Sequence, residues 1–214
     1  MKKSAISTAL LLASVAWAAS TSAQTAPVPV LVGTCVACHG TEGNSQGPAT
    51  PTIAGLSKVY FVNAMLAYKY GSDTAKIEAA AKALNVDPDD IEGFERLATV
   101  MDRIAKGYTD EEIGAMADYF VNQRFRPAAQ GFDAALAARG KTLHEDACDK
   151  CHEDGGRKGD GAGTLAGQWT PYHEFNYADY EAKHRAMPKK LREKMRDLTG
   201  DDFKALLHFY ASQK

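Results

Sequence analysis

The strongest constraint on this chain is a pentapeptide that occurs twice, as Cys35-Val36-Ala37-Cys38-His39 and Cys148-Asp149-Lys150-Cys151-His152; the two copies use all four cysteines. C-x-x-C-H is the attachment signature of a c-type haem. Two thiols three residues apart on one helical turn reach the two vinyl groups of a porphyrin, and the next residue, histidine, is carried under the ring to bind iron. Other uses of paired cysteines fit less well. A thioredoxin-like dithiol needs no histidine and belongs to a βαβ pattern, of which the sequence gives no sign. Zinc knuckles lie roughly 15 to 20 residues apart, far closer than Cys38 and Cys148. Two disulfides would be the ordinary reading of an exported chain, but they leave the repeated spacing unexplained. The expectation is therefore two covalent haem c groups, tethered by Cys35, Cys38, Cys148 and Cys151, with His39 and His152 as proximal iron ligands.

Export is itself expected. Lys2 and Lys3, an apolar run from Ala5 to Ala19 and small residues after it make residues 1–26 a signal peptide. Ala16-Trp17-Ala18 and Thr21-Ser22-Ala23 are possible cleavage sites. The run is shorter than the roughly 20 residues that span a bilayer, and no later segment is long or apolar enough, so no membrane span is expected after removal. Periplasmic location follows. With 25 basic against 27 acidic residues, a net charge of −2 and no extended basic block, no nucleic-acid partner is expected.

The duplication extends past the pentapeptides. Glycines follow each motif, then Thr52-Ile53-Ala54-Gly55 in the first half and Thr164-Leu165-Ala166-Gly167 in the second, offset by one residue. Aromatic residues come next, Tyr60-Phe61 and Tyr172 with Phe175. Each half closes on a similar helix, with Thr109 and Thr199 as N-caps followed by acids in the first turn. Ile113, Met116, Ala117 and Phe120 share one face of the first, and Phe203, Leu206, Leu207 and Tyr210 one face of the second. No run alternates with period two, so the fold class is all-α, in two lobes. The break is placed near Arg126-Pro127, giving domains 27–130 and 131–214.

The sixth ligand decides whether each iron is closed, for electron transfer, or open, for an enzyme or gas sensor. Of six methionines, Met65 and Met116 lie on apolar faces and read as core. Met101, in a short segment before the closing helix, is the candidate for the first iron. Met187, at a helix entry beside Pro188, is the candidate for the second; Met195 is the fallback, though the face it shares with Leu191 and Leu198 reads as packing, and His184 competes with Met187. His144 is placed at the periphery of the proximal side, and His173 and His208 are placed as packed or partly exposed. A His/Met pair raises the potential relative to bis-His.

These features resemble the class I cytochrome c superfamily, its diheme branch, and more closely the cytochrome subunits of flavocytochrome c sulfide dehydrogenases. The stretches that carry the resemblance are CVACHGTEGNSQGPATPTIAG from Cys35, MDRIAKGY from Met101, the segment from Phe120 to Leu143, LAGQWTPY from Leu165, RAMPKK from Arg185 and FYASQ from Phe209. It implies two tandem class I cytochrome c-like domains, each wrapped around one covalent haem, with His39 and Met101 on the first iron and His152 and Met187 on the second. It implies that the Pro48 carbonyl orients His39; the second repeat departs from this, with Asp160 at the matching position. It implies a partner, an FAD-containing sulfide dehydrogenase subunit, and single electrons passed on to a soluble cytochrome c-type acceptor. No catalytic site of the chain's own is expected, since it has no catalytic dyad, phosphate loop or GxGxxG. The alternative is a free-standing diheme carrier delivering electrons to a terminal oxidase. Residues near 72–97 exceed the family pattern; Ile77, Ala80, Ala81 and Leu84 suggest one helix there, and Asp87-Pro88-Asp89-Asp90 the start of another. The basic run from Lys183 to Arg196, Arg185 included, reads either as a docking surface for an acidic partner or as a solvated helix face.

Overall fold

Helical periodicity without period-two runs leads to helices packed on helices, and the computed structural model contains no strand among the residues it describes, 26–87, 96–159 and 161–214. Residues 1–25 of the expected signal peptide, Asp160 and the helix expected to start at Asp87-Pro88 lie outside the described residues, apart from Asp87 itself. The first lobe runs α1 (Val28–His39), a 3₁₀ turn (Thr41–Gly43), α2 (Lys58–Tyr70), α3 (Thr74–Ala83), α4 (Met101–Ala105) and α5 (Asp110–Val121). The second runs α6 (Ala134–Ala147), the single turn α7 (Glu153–Gly156), α8 (Thr170–Glu181), α9 (Lys189–Met195) and α10 (Gly200–Ser212). None of these helices is long and apolar enough to cross a membrane.

Side-chain caps set where the helices start. Ser57, Asp73 and Asp133 accept from backbone N–H groups at the starts of α2, α3 and α6. The two N-caps read from the sequence close reciprocal capping boxes, Thr109 with Glu112 on α5 and Thr199 with Asp202 on α10. On α5, Ile113, Met116, Ala117 and Phe120 are all fully buried, and Phe120 stacks on Phe61 of α2 with ring centroids 5.5 Å apart. The extra helix α3 belongs to this same core: Ile77, Ala80 and Ala81 are buried, and Leu84 fills the space over Gly114 of α5. On α10, Leu206, Leu207 and Tyr210 are buried as expected, while Phe203 stacks on Tyr177 of α8 at 4.2 Å.

The same ladder of backbone bonds ties both loops to their closing helices. Gly43 O accepts from Ile53 and Ala54 N–H, and Gly156 O accepts from Leu165 and Ala166 N–H; Gly55 N–H donates to Phe120 O, and Gly167 N–H to Tyr210 O. The repeat is thus structural as well as textual. In the second lobe α6 and α10 cross so closely at Gly140 that a Cβ there would sit 2.1 Å from the Ala205 carbonyl oxygen. Gly140→Ala must push the two helices apart and is expected to cost about 1–3 kcal/mol, read as a lowered thermal unfolding midpoint; an unchanged midpoint contradicts this crossing.

Candidate cofactor sites

Each cysteine pair emerges at the end of a helix. Cys35 and Cys38 lie on the last turns of α1, and His39 is its final residue, 7% exposed. Cys148 caps α6, and backbone bonds from Cys151 and His152 N–H to Cys148 O continue the helical turn through the motif. In both motifs the second cysteine is exposed and the first half-buried, and none of the four is paired in a disulfide. Burial raises the Cys35 and Cys148 thiols above their ordinary pKa, the reverse of what an activated redox dithiol requires.

The two histidines are held alike. His39 Nδ1–H donates to the Pro51 carbonyl at 2.8 Å, and His152 Nδ1–H to the Gly163 carbonyl at 3.1 Å. Burial pushes both imidazoles down in pKa, His152 to about 4, so both are neutral at pH 7. A neutral ring that donates through Nδ1 keeps the Nε2 lone pair for a metal. The Pro48 expectation is corrected: Pro51, three residues further on, supplies the carbonyl. The second repeat has the same bond through Gly163, although Asp160 stands at the position matching Pro48. Pro51 and Gly163 are the residues before Thr52 and Thr164, so aligning the repeats on those threonines gives the right partners.

Met101 begins α4 and packs, with Cys35, against the first core. Met187 is half-buried just before Pro188, which is the N-cap of α9 rather than its first residue, and its carbonyl accepts from Arg192 Nη2 at 2.8 Å. Met65 and Met116 are core, and Met195 is half-buried. His184 is exposed, 3.7 Å from Asp179. His173 is buried, donates to the Leu165 carbonyl at 2.9 Å and is pushed to about 4 by burial; His208 accepts from Asp133 N–H. His144 corrects the sequence reading: it is 1% exposed, not peripheral, and its Nδ1 shares a 3.1 Å hydrogen bond with the Tyr210 hydroxyl. Ala137, Gly140 and His144 form the α6 face that meets α10, a spacing visible in the sequence.

One constellation was not anticipated. Arg96 and Arg185, far apart in sequence, pair as an isolated antiparallel bridge and are only 5% and 8% exposed. Arg185 therefore leaves the solvated basic run in which the sequence placed it. Arg96 donates to the Tyr60 hydroxyl at 3.2 Å and lies over Tyr68, 4.8 Å from the ring centre; Arg185 lies over Tyr180 at 4.8 Å and donates to Asn176 Oδ1 at 2.6 Å. Burial pushes the Tyr60 hydroxyl up, but the charges of Arg96 and Arg185 outweigh it and bring it down to about 7. Among the described residues no carboxylate pairs with Arg96, and its buried Nε has no hydrogen-bond partner. A buried guanidinium in that state fits an anion, and the propionates of a haem are carboxylates. The paired thiols, the neutral imidazoles and this orphaned donor all suit haem c.

The cytochrome c family pattern matches residues 29–123. The chain is 39% identical over 88 residues to the cytochrome subunit of sulfide dehydrogenase of Chlorobaculum tepidum, covering 41% of this chain and 58% of that protein's length. It is 33% identical over 92 residues to cytochrome c-554(548) of Halomonas halodenitrificans, 43% of this chain and 87% of that one. In three dimensions it superposes on reduced recombinant cytochrome c4 from Pseudomonas stutzeri with a TM-score of 0.69 and 26% identity, covering 87% of this chain and 97% of that one. The chain belongs to the cytochrome c family, as an electron carrier with two tandem cytochrome c domains and two covalently bound haem c groups.

Proposed function

We propose that this chain is the periplasmic diheme subunit that takes single electrons from a flavoprotein sulfide dehydrogenase and hands them to a soluble c-type cytochrome. Cys35 and Cys38 tether one haem and Cys148 and Cys151 the other; His39 with Met101, and His152 with Met187, close the two irons. The domains span 27–130 and 131–214 after removal of residues 1–26. The observation that carries the electron-transfer reading is the pair of neutral imidazoles, each fixed through Nδ1 beside two cysteines that form no disulfide. The likeness to the sulfide dehydrogenase subunit supports the choice of donor.

Bound haem supplies a one-electron couple; the protein tunes it and keeps water away. Pro51 and Gly163 hold the imidazole tautomers. The thioethers of Met101 and Met187 favour the reduced iron more than a second imidazole would. Arg96, buried and protonated at any ordinary pH, offsets the charge of haem carboxylates. A second reading, a free-standing carrier serving a terminal oxidase, is supported by the end-to-end likeness to cytochrome c4.

Three outcomes are expected. The native protein copurifies with a partner showing flavin absorbance, and sulfide reduces both haems; an isolated monodisperse chain whose haems sulfide leaves oxidised favours the free-standing carrier. Met187→Ala lowers one haem potential and lets carbon monoxide bind that reduced iron, and unchanged potentials for both haems remove Met187 from the site. Arg96→Gln takes a buried positive charge away from the haem carboxylates, which lowers a haem potential by on the order of tens of millivolts; potentiometry showing no change separates Arg96 from the haems.

A further inference from the structure

The segment from Leu165 to Tyr172 carries the family resemblance most specifically, yet electron transfer as described uses neither Gln168 nor Trp169. Both reach into the other lobe. Gln168, 2% exposed, accepts from Thr52 N–H through Oε1 at 3.0 Å and donates through Nε2 to the Thr52 carbonyl at 2.6 Å. One side-chain amide thus satisfies both backbone groups of a residue that is itself 2% exposed, where water is not at hand to do so. Gln130 fixes the clamp from behind: its Nε2 donates to the Gln168 carbonyl at 2.6 Å and its Oε1 accepts from Thr170 N–H at 2.9 Å. Trp169 donates its indole N–H to the Ser45 carbonyl at 3.1 Å. Its ring lies so close over Gly47 that a Cβ there would come within 2.5 Å. Ser45, Gly47 and Thr52 belong to the loop that carries the Pro51 carbonyl to His39 Nδ1.

We propose that Gln168 and Trp169 are positioning residues for the first haem: from the second lobe they hold the loop whose Pro51 carbonyl orients the His39 imidazole. The first repeat has Leu56 at the position of Gln168, and Leu56 is buried in its own core. The matching position is thus apolar in the first repeat and polar in the copy that faces the other lobe. A contact also runs the opposite way. Tyr60 of α2 packs against Gly163, where a Cβ would meet its ring at 2.9 Å, and Gly163 is the residue whose carbonyl orients His152. Each proximal carbonyl is thus backed by a side chain of the opposite lobe. Loosening the Gln168 clamp weakens the Nδ1–H bond, makes the imidazole a poorer electron donor and favours the reduced iron.

The inference rests on His39 as an iron ligand, and one set of measurements separates the two claims. Gln168→Met keeps the length and bulk of the side chain but makes neither bond to Thr52. In the diheme holoprotein, spectroelectrochemistry is expected to show the first haem's one-electron equilibrium shifted about tenfold toward reduction, which is about +59 mV, with the second haem unmoved. NMR is expected to show faster solvent exchange of the His39 Nδ1 proton. Trp169→Phe leaves an aromatic ring over Gly47 but removes the donor to Ser45; it raises the same potential by less, and it carries the test if Gln168→Met does not accumulate. No rise at the first haem, or an equal rise at both, overturns the proposal. His39 ring resonances without an iron-induced shift in the wild-type protein would instead remove His39 as a ligand.

Discussion

Each histidine that follows a cysteine pair spends its Nδ1 proton on a backbone carbonyl, and much of the architecture serves that bond. The carbonyl must arrive from a loop that leaves the motif and folds back, Pro51 for His39 and Gly163 for His152. In both lobes that loop is stitched by a glycine carbonyl taking two N–H groups and by a second glycine donating to the closing helix. The closing helices need their own start signals, and Thr109 and Thr199 supply them with matching capping boxes. Without the bond the imidazole has no fixed tautomer, and an iron held by it would have no defined ligand geometry.

Much of this is legible in the sequence because it is local or periodic. The C-x-x-C-H motif states its chemistry within five residues, the capping threonines stand three residues before their partners, and the buried stripe of α5 follows a helical period that the structure reproduces residue by residue. The misreadings share a physical cause. Pro48 comes from the family resemblance, whereas the bond needs only a carbonyl at the right register, which Pro51 supplies. His144 is placed by its position just before the second motif and Arg185 by the basic run around it, yet α6 crosses α10 on the face that holds His144, and Arg185 pairs with Arg96 across the chain. Contacts such as Gln168 with Thr52 depend on how the lobes meet, and no local pattern encodes that.

The two lobes do meet, over a polar rather than an apolar seam. Two guanidinium groups lie buried among Tyr60, Tyr68, Tyr172 and Tyr180, and beside them one amide clamps a buried peptide. Burying such charge is costly unless an anion or a full set of hydrogen bonds offsets it, and haem carboxylates would be such an anion. A seam of this kind specifies geometry, because polar groups that lose their partners have no alternative arrangement of comparable energy. For a one-electron carrier with two irons, fixed geometry between the lobes is a functional property.

All of these features presuppose that the four cysteines are consumed in tethering porphyrins, leaving each small lobe to condense around its own. The mass of the denatured, processed polypeptide, produced in a host equipped for haem attachment, tests this most directly. The mass of the chain plus two haem groups is the expected result; the mass of the bare polypeptide would contradict the account.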